Sequence, residues 1–344
     1  MRTSPGDRSA PRTALAMGPA AAAAVFPPDA LAALGRVCDL VPPPALDDFT
    51  TERARAVLRD VEILVTGWGC PALDASVLAA APRLRAVVHS AGSVRAHVTA
   101  ACWDRGVEVS SAAAANALPV AEYTVAMILL TGKRVLERAR DLRRTRRRDD
   151  PLDTPRTVGN FGRTVGILSA SMVGRRVVEL LRPYDFRVLL HDPCVTAAEA
   201  DALGVTAVPL DELFARSDTV SVHTPLLPGT RGLVGRRLIS AMRPGAVLIN
   251  TARGAVVDQE ALTEAVLHGR VRAVLDVTDP EVLPPGHPLW DHDGDNLLIT
   301  PHLAGSQGNE WARLADLAVR EVARWTAGDG FAHPVRRERL DRLA

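Results

Sequence analysis

Three short segments in the second half of the chain each follow an apolar run and each deliver a polar residue suited to proton or carboxylate chemistry. They read Leu248-Ile249-Asn250-Thr251-Ala252-Arg253-Gly254, Leu275-Asp276-Val277-Thr278-Asp279-Pro280-Glu281 and Leu298-Ile299-Thr300-Pro301-His302-Leu303-Ala304. Taken singly, none is persuasive. An arginine after a strand is more often a surface charge, a Thr-Pro-His is more often a turn with a capping histidine, and a glutamate among prolines is usually a solvated loop carboxylate. Their shared position is more telling, because in a parallel sheet the strand ends point to one edge, the edge at which ligands bind.

A fourth segment, Gly162 to Gly174, reads G-R-T-V-G-I-L-S-A-S-M-V-G. A strand ends in a turn of small residues, a helix begins near Met172, and a second strand leads into Asp192, 18 residues past Gly174. This is the layout of a dinucleotide-binding βαβ unit, in which the helix N-terminus faces a pyrophosphate and the acidic residue takes the ribose hydroxyls. The G-x-G-x-x-G fingerprint is altered to Ser169-x-Ser171-x-x-Gly174. Gly174, which permits close helix–strand packing, is kept. The serines restrict positive φ and narrow the backbone approach to phosphate, although their hydroxyls can donate to a phosphate oxygen. Alone, the segment is equally compatible with a plain βαβ turn. Asp192 favours NAD over NADP, because its carboxylate would repel a 2′-phosphate.

In order and spacing, these segments join with N-A-L-P-V-A-E at 116–122 and S-V-H-T-P-L at 221–226. From about residue 85 to 306 the chain resembles the D-isomer-specific 2-hydroxyacid dehydrogenase family. The resemblance implies an α/β fold of two Rossmann-like doubly wound parallel-sheet domains, a flavodoxin-like substrate domain and an NAD-binding domain. It implies hydride transfer between NAD(H) and C2 of a small D-2-hydroxy or 2-keto acid, with no metal. The family's Arg–Glu–His triad lands on Arg253, Glu281 and His302. Arg253 would hold the substrate carboxylate through its planar, always charged fork. His302 would be the general acid/base, a role suited to a side chain that ordinarily titrates near pH 6.5, about where proton exchange is easy in either direction. Glu281 would orient the imidazole.

The same carry-over places Ser169, Ser171, Met172, Val173, Gly174, Asp192, His223, Thr224, Pro225, Thr230, Thr251, Ala252 and Asp276 against NAD. Asp276 would meet the nicotinamide carboxamide, and Ala252 would do so through its backbone. His223 would line the pocket near the adenosine or pyrophosphate; in isolation it reads as a strand-end core histidine. The substrate loop matches less well. Around Gly92, Ser93 and Val94, where the family has a glycine-rich loop binding the carboxylate, only Gly92 remains. Arg95 is either a reader of an extra anionic group on the substrate or an ordinary surface arginine.

The elements that must position these residues alternate along the chain. Candidate strands lie at 13–17, 62–66, 85–89, 107–110, 164–168, 187–191, 219–223, 246–250, 271–276 and 296–300, with helical patterns between them such as 236–242 and 258–267. Apolar strands alternating with helices argue for parallel α/β sheets, and ten strands suit two sheets better than one. One long helix is expected from Asn116 to about Arg144, followed by a polar linker at 143–153. The substrate domain is assigned to 1–115 plus 304–344 and the NAD-binding domain to 116–303, with the helix near 306–326 returning to the first domain.

Composition narrows the partners. With 41 Lys and Arg against 40 Asp and Glu, the net charge of +1 supplies no global field for nucleic acid or anionic lipid. The run Arg143-Arg144-Thr145-Arg146-Arg147-Arg148, followed by Asp149 and Asp150 with no aromatics, reads as a solvated helix end rather than a nucleic-acid patch. Four scattered cysteines, Cys38, Cys70, Cys102 and Cys194, form no C-x-x-C and suggest a reducing, cytoplasmic setting. Residues 1–10 read as a disordered lead, and prolines at 19, 27 and 28 interrupt any resemblance to a signal peptide. No stretch is expected to approach the roughly 20 apolar residues of a membrane span. The long helix after the first domain is expected to support a homodimer. The alternative to an active enzyme is a catalytically weak NAD(H)-binding sensor or partner-binding module of the same fold, to which the two serines lend support.

Overall fold

The computed structural model describes residues 10–148 and 150–342, so the disordered lead expected over 1–10 lies outside the described residues apart from Ala10. The described residues divide into two compact units, 10–116 with 306–342, and 117–305. In the first unit, β1 (Arg12–Ala16), β2 (Asp39–Leu40), β3 (Ile63–Thr66), β4 (Ala86–His89) and β5 (Glu108–Ser111) pair in parallel in the order β5-β4-β3-β1-β2. The second unit carries β6 (Thr164–Leu168), β7 (Arg187–His191), β8 (Thr206–Ala207), β9 (Thr219–Val222), β10 (Val247–Asn250), β11 (Arg272–Leu275) and β12 (Leu297–Ile299). These are parallel throughout, in the order β12-β11-β10-β9-β6-β7-β8. A last strand, β13 (Pro334–Val335), pairs antiparallel with β5 and makes the first sheet mixed rather than purely parallel.

Both sheets are doubly wound, and the strand sequences show why. Within β3, Ile63 and Val65 enter one core while Leu64 enters the opposite one. Within β10, Leu248 faces one core of its unit and Val247 and Ile249 the other. Strands buried on both faces need continuous apolar runs, and each fully buried Val, Leu or Ile contributes roughly 1.5–3 kcal/mol. Local signals end the helices between them. Thr196 and Glu199 form a reciprocal capping box at the start of Ala197–Leu203, and Gly204 stops that helix at φ 74°. All ten expected strands occur within one residue of their expected ends. The additional strands β2, β8 and β13 have two residues each, too few to show an alternation.

Two expectations fail. The single helix expected from Asn116 to about Arg144 is two helices, Ala113–Gly132 and Val135–Thr145, separated by Arg134 in the left-handed region at φ 52°. The break forms because a later segment takes the carbonyls at the end of the first helix. Gly159 N donates to Gly132 O (2.8 Å) and Asn160 Nδ2 to Leu129 O (3.1 Å). The approach is so close that a Cβ on Gly132 would lie 1.8 Å from Asn160 Oδ1. The second helix is then pinned by buried Arg272, which donates to Thr131 O (2.9 Å) and pairs with Glu137. Burial pushes the Arg272 guanidinium down to about 10.

The second failure concerns span length. Ala113–Gly132 is 20 residues long and apolar enough to cross a membrane by length and composition. Asn116, Glu122, Tyr123 and Thr124 interrupt its apolar run, which hid this in the sequence. Its Ala121, Val125 and Ile128 pack in a core with Val165, Ile167 and Val177, the role of a soluble protein's core helix. At the end of the second helix Arg144 pairs with Asp141 (2.8 Å), and the arginines of this run are exposed to solvent.

Candidate active site

The C-terminal ends of β10, β11 and β12 lie in register, Asn250 beside Leu275 and Leu275 beside Ile299, so the segments that follow them leave one sheet edge. After β10 the chain folds on itself through the Asn250 side chain, whose Nδ2 donates to Arg253 O (3.0 Å) while its Oδ1 accepts from Ala252 N (3.0 Å). Arg253 caps a short 3-10 turn, Gly254–Val256, and its Nη1 donates to Ala252 O (2.7 Å). Gly254 is required by close approach, since a Cβ there would lie 1.9 Å from Thr278 O. That approach brings the Arg253 turn against the segment leading from β11 to Glu281. The Thr278 hydroxyl holds this segment by donating to Pro280 O (2.7 Å) and Glu281 O (3.0 Å).

His302 follows β12 and meets Glu281: its Nδ1–H donates to Glu281 Oε1, and both side chains are about half exposed. The backbone of His302 is left-handed, φ 53°, a conformation that costs a non-glycine residue about 1 kcal/mol or more. The surroundings over-determine it. His302 N donates to Asp276 O (3.0 Å), and the buried Asp276 carboxylate accepts from Thr300 Oγ1 (2.7 Å), Leu303 N (2.8 Å) and Ala304 N (2.9 Å). Thr300 in turn pairs with the Tyr123 hydroxyl (2.9 Å), and Thr251 with Thr124 (3.2 Å). Asp276 therefore gathers the histidine loop, a role not foreseen for a residue expected to meet nicotinamide. Burial pushes the Tyr123 phenol up, and its bond to Thr300 partly offsets this.

The dinucleotide turn lies at the end of β6. Ser169 sits at φ 80°, the left-handed value for which the fingerprint ordinarily supplies glycine. Its Oγ donates to Asp192 Oδ2 (3.1 Å), which also accepts Ala170 N (2.8 Å), while Asp192 Oδ1 accepts Cys194 N (2.8 Å). Ser171 is the N-cap of the helix Met172–Leu181, its Oγ accepting Gly174 N (3.3 Å), so the amides of Met172 and Val173 open the first turn. A Cβ on Gly174 would lie 2.1 Å from Ser169 O and 3.5 Å from the His223 Cβ. His223, buried at the end of β9, pairs through Nε2 with Ser221 (2.9 Å), while its Nδ1 has no partner. Burial pushes this imidazole down to about 3. An orphaned buried nitrogen, a ten-residue helix opening beside it and a glycine cradle form a fitting set for a dinucleotide. Thr224 reaches Leu168 O (3.4 Å), and Thr230 closes the 225–230 loop by donating to Pro225 O (2.6 Å) and accepting Leu227 N (2.8 Å).

Gly92, Ser93 and Val94 belong to the first unit, in a loop between β4 and the helix Ala100–Asp104. Arg95 is exposed and donates to Leu340 O on the C-terminal turn, so this side chain has a structural tether. Among the described residues no cluster of three His, Cys, Asp or Glu could hold a metal ion.

Comparison with known proteins gives a consistent picture. Residues 125–304 match the NAD-binding domain of the D-isomer specific 2-hydroxyacid dehydrogenases. D-3-phosphoglycerate dehydrogenase of Mycobacterium tuberculosis is 31% identical over 304 residues, which cover 88% of this chain and 56% of that protein. The chain thus spans about half the length of the curated phosphoglycerate dehydrogenases it matches. Glyoxylate reductase of Thermofilum pendens is 32% identical over 304 residues, 87% of this chain and 88% of the relative. Among solved structures, the TT0316 protein of Thermus thermophilus aligns with a TM-score of 0.73 at 30% identity, covering 94% of this chain and all of that one.

Proposed function

The chain belongs to the D-isomer specific 2-hydroxyacid dehydrogenase family, and from that premise we propose that it transfers a hydride between NAD(H) and C2 of a small D-2-hydroxy or 2-keto acid. The observation that carries the reading is the pairing of His302 Nδ1 with Glu281 on the sheet edge that also presents Arg253.

Glu281 fixes the tautomer: with Nδ1–H committed to the carboxylate, Nε2 is the nitrogen that gives a proton to the C2 oxygen on reduction and removes it on oxidation. The carboxylate also balances the positive charge that appears on the imidazole whenever Nε2 holds the proton. Arg253 spends one N–H on Ala252 O, and the rest of its fork is available for a carboxylate and the adjoining oxygen. When bound, the nicotinamide supplies or takes up the hydride. The groups proposed to hold the dinucleotide are the first-turn amides at Met172 and Val173, Ser169, Ser171, Gly174, His223 Nδ1, Asp192 toward the ribose, and Thr224, Pro225, Thr230, Thr251, Ala252 and Asp276 along the strand ends. Gly92, Ser93 and Val94 are proposed to bind the substrate carboxylate through backbone amides.

A second reading, a weakly active NAD(H) sensor, draws on one feature. Asp192 is already bonded to Ser169, Ala170 and Cys194, which reduces what it offers a ribose. One experiment separates the two: NADH oxidation followed by absorbance against a panel of 2-keto acids, with NADPH and Arg253→Ala as controls. Turnover with NADH that falls by at least about a hundredfold in the variant supports the enzyme. NADH binding without turnover of any acid moves the weight to the sensor.

Exposed Val135, Leu136 and Leu142 on the helix after the break, with Leu152 and Phe161 beyond it, support a homodimer. A sedimentation mass of one chain at micromolar concentration would contradict it. Four free cysteines, one of them exposed, fit a cytoplasmic protein. Neither nucleic acid nor a membrane is part of the proposed role.

A further inference from the structure

The first unit contains a buried cluster that the proposed chemistry does not use. Thr66 ends β3, and His89 ends β4 directly beside it in register. His97 lies at the far end of the 90–96 loop. The Thr66 hydroxyl pairs with both rings, His89 Nδ1 at 3.0 Å and His97 Nε2 at 3.1 Å, and the ring centroids are 4.4 Å apart. Both histidines are only 3% exposed, and Thr66 is fully buried.

The backbone of the same threonine holds the other end of the loop. Thr66 O accepts both Ser90 N (2.7 Å) and Ser90 Oγ (2.8 Å). Beyond the loop, His97 O accepts Leu73 N (2.8 Å), tying the exit to a neighbouring segment. One residue therefore grips the entrance through its carbonyl and the exit through its hydroxyl. Between these grips lie half-buried Gly92 and Ser93 and exposed Arg95 and Ala96.

We propose that Thr66, His89 and His97 form a clasp that fixes the backbone of the 90–96 loop, making them positioning residues for the substrate carboxylate. The link to substrate rests on the assignment of that loop under the proposed function; the clasp itself rests on the bonds just given. A hydroxyl carries one hydrogen, so with both rings neutral it donates to one ring nitrogen and accepts N–H from the other. Burial, and for His89 also the neighbouring ring, pushes the pair down to about 3 and about 4, which keeps both neutral near pH 7. The cluster thus requires opposite tautomeric roles at His89 Nδ1 and His97 Nε2, and a valine at 66, equal in shape but without the hydroxyl, breaks both bonds at once.

The test compares the full-length wild type with Thr66→Val and Thr66→Ser by two readouts. Amide hydrogen exchange needs no turnover: the 90–96 amides should exchange at least about tenfold faster in Thr66→Val and return toward wild type in Thr66→Ser, while β1 and β5 stay protected. Kinetics with glyoxylate as probe should show KM raised roughly tenfold in Thr66→Val with kcat and NADH affinity within about twofold, again restored by serine. Loop exchange unchanged in Thr66→Val, or faster throughout the unit in both variants, overturns the clasp. Faster loop exchange with unaltered KM overturns its link to the carboxylate. If wild type turns over no acid of the 2-keto panel yet the loop responds, the clasp stands and the proposed function is what fails.

Discussion

Two turns of the second sheet are built on the same plan and end in different states. Each follows a strand, each puts a non-glycine residue in the left-handed region, Ser169 at φ 80° and His302 at φ 53°, and each is gathered by an aspartate just past the neighbouring strand. Asp276, after β11, is buried and takes one hydroxyl and two amides from the histidine loop. Asp192, after β7, also takes one hydroxyl and two amides, divided two and one between its oxygens as in Asp276, yet it is only half-buried. A motif aspartate is therefore not one thing. The bonding is alike in the two; what differs is access, since water is excluded from Asp276 and reaches Asp192.

Exchanging each aspartate for asparagine sharpens the contrast. In Asp276→Asn an amide NH2 must face a backbone N–H or the Thr300 hydroxyl with no water to intervene, so unfolding free energy should fall by about 2–4 kcal/mol. The strained His302 turn should lose its order with it. Denaturant titration checks this, and a loss below about 1 kcal/mol would show that the carboxylate does not organise the loop.

An intermediate effect comes from pH. His89, His97 and His223 are held down to about 3, 4 and 3 by burial, against an ordinary value of 6.5. Below pH 6.5 the unfolded chain binds protons that the folded one refuses, so stability is full above that value and falls by about 1.4 kcal/mol per pH unit for each histidine on the way down to pH 4. Because His223 lies under the dinucleotide turn, saturating NADH should reduce the slope if its Nδ1 gains a partner. A stability curve flat from pH 7 to pH 5 would contradict the buried, neutral assignment.

Asp192→Asn should give the smallest change in stability, under about 1 kcal/mol, because solvent replaces what is lost. Its signature is instead a narrower preference for NADH over NADPH. An unchanged ratio of the two coenzymes' kcat/KM would remove Asp192 from the ribose site.

The same contrast explains what could be read in the sequence. Apolar runs, most of them buried on both faces, made the ten longer strands legible to within a residue, because their pattern is local. Gly254 and Gly174 stood out as glycines, but only the close approach of Thr278 O and Ser169 O shows what each admits. The break after Gly132 was invisible because its cause, the 159–160 segment, lies some 27 residues away in sequence. Arg253, Glu281 and His302 were found through their spacing and family resemblance. Thr300, Tyr123 and the Thr66 cluster were missed, since each bonds to partners at least 23 residues away in sequence.

The role proposed for His302 is to move the proton that accompanies hydride transfer. Single-turnover reduction of the acid best used by the wild type, followed by NADH absorbance in His302→Gln at saturating NADH, tests it most directly. If His302 moves that proton, NADH binding stays within about threefold of wild type and the hydride-transfer rate falls by about 10²–10⁴. A rate within about tenfold of wild type would contradict it and assign the proton to another group.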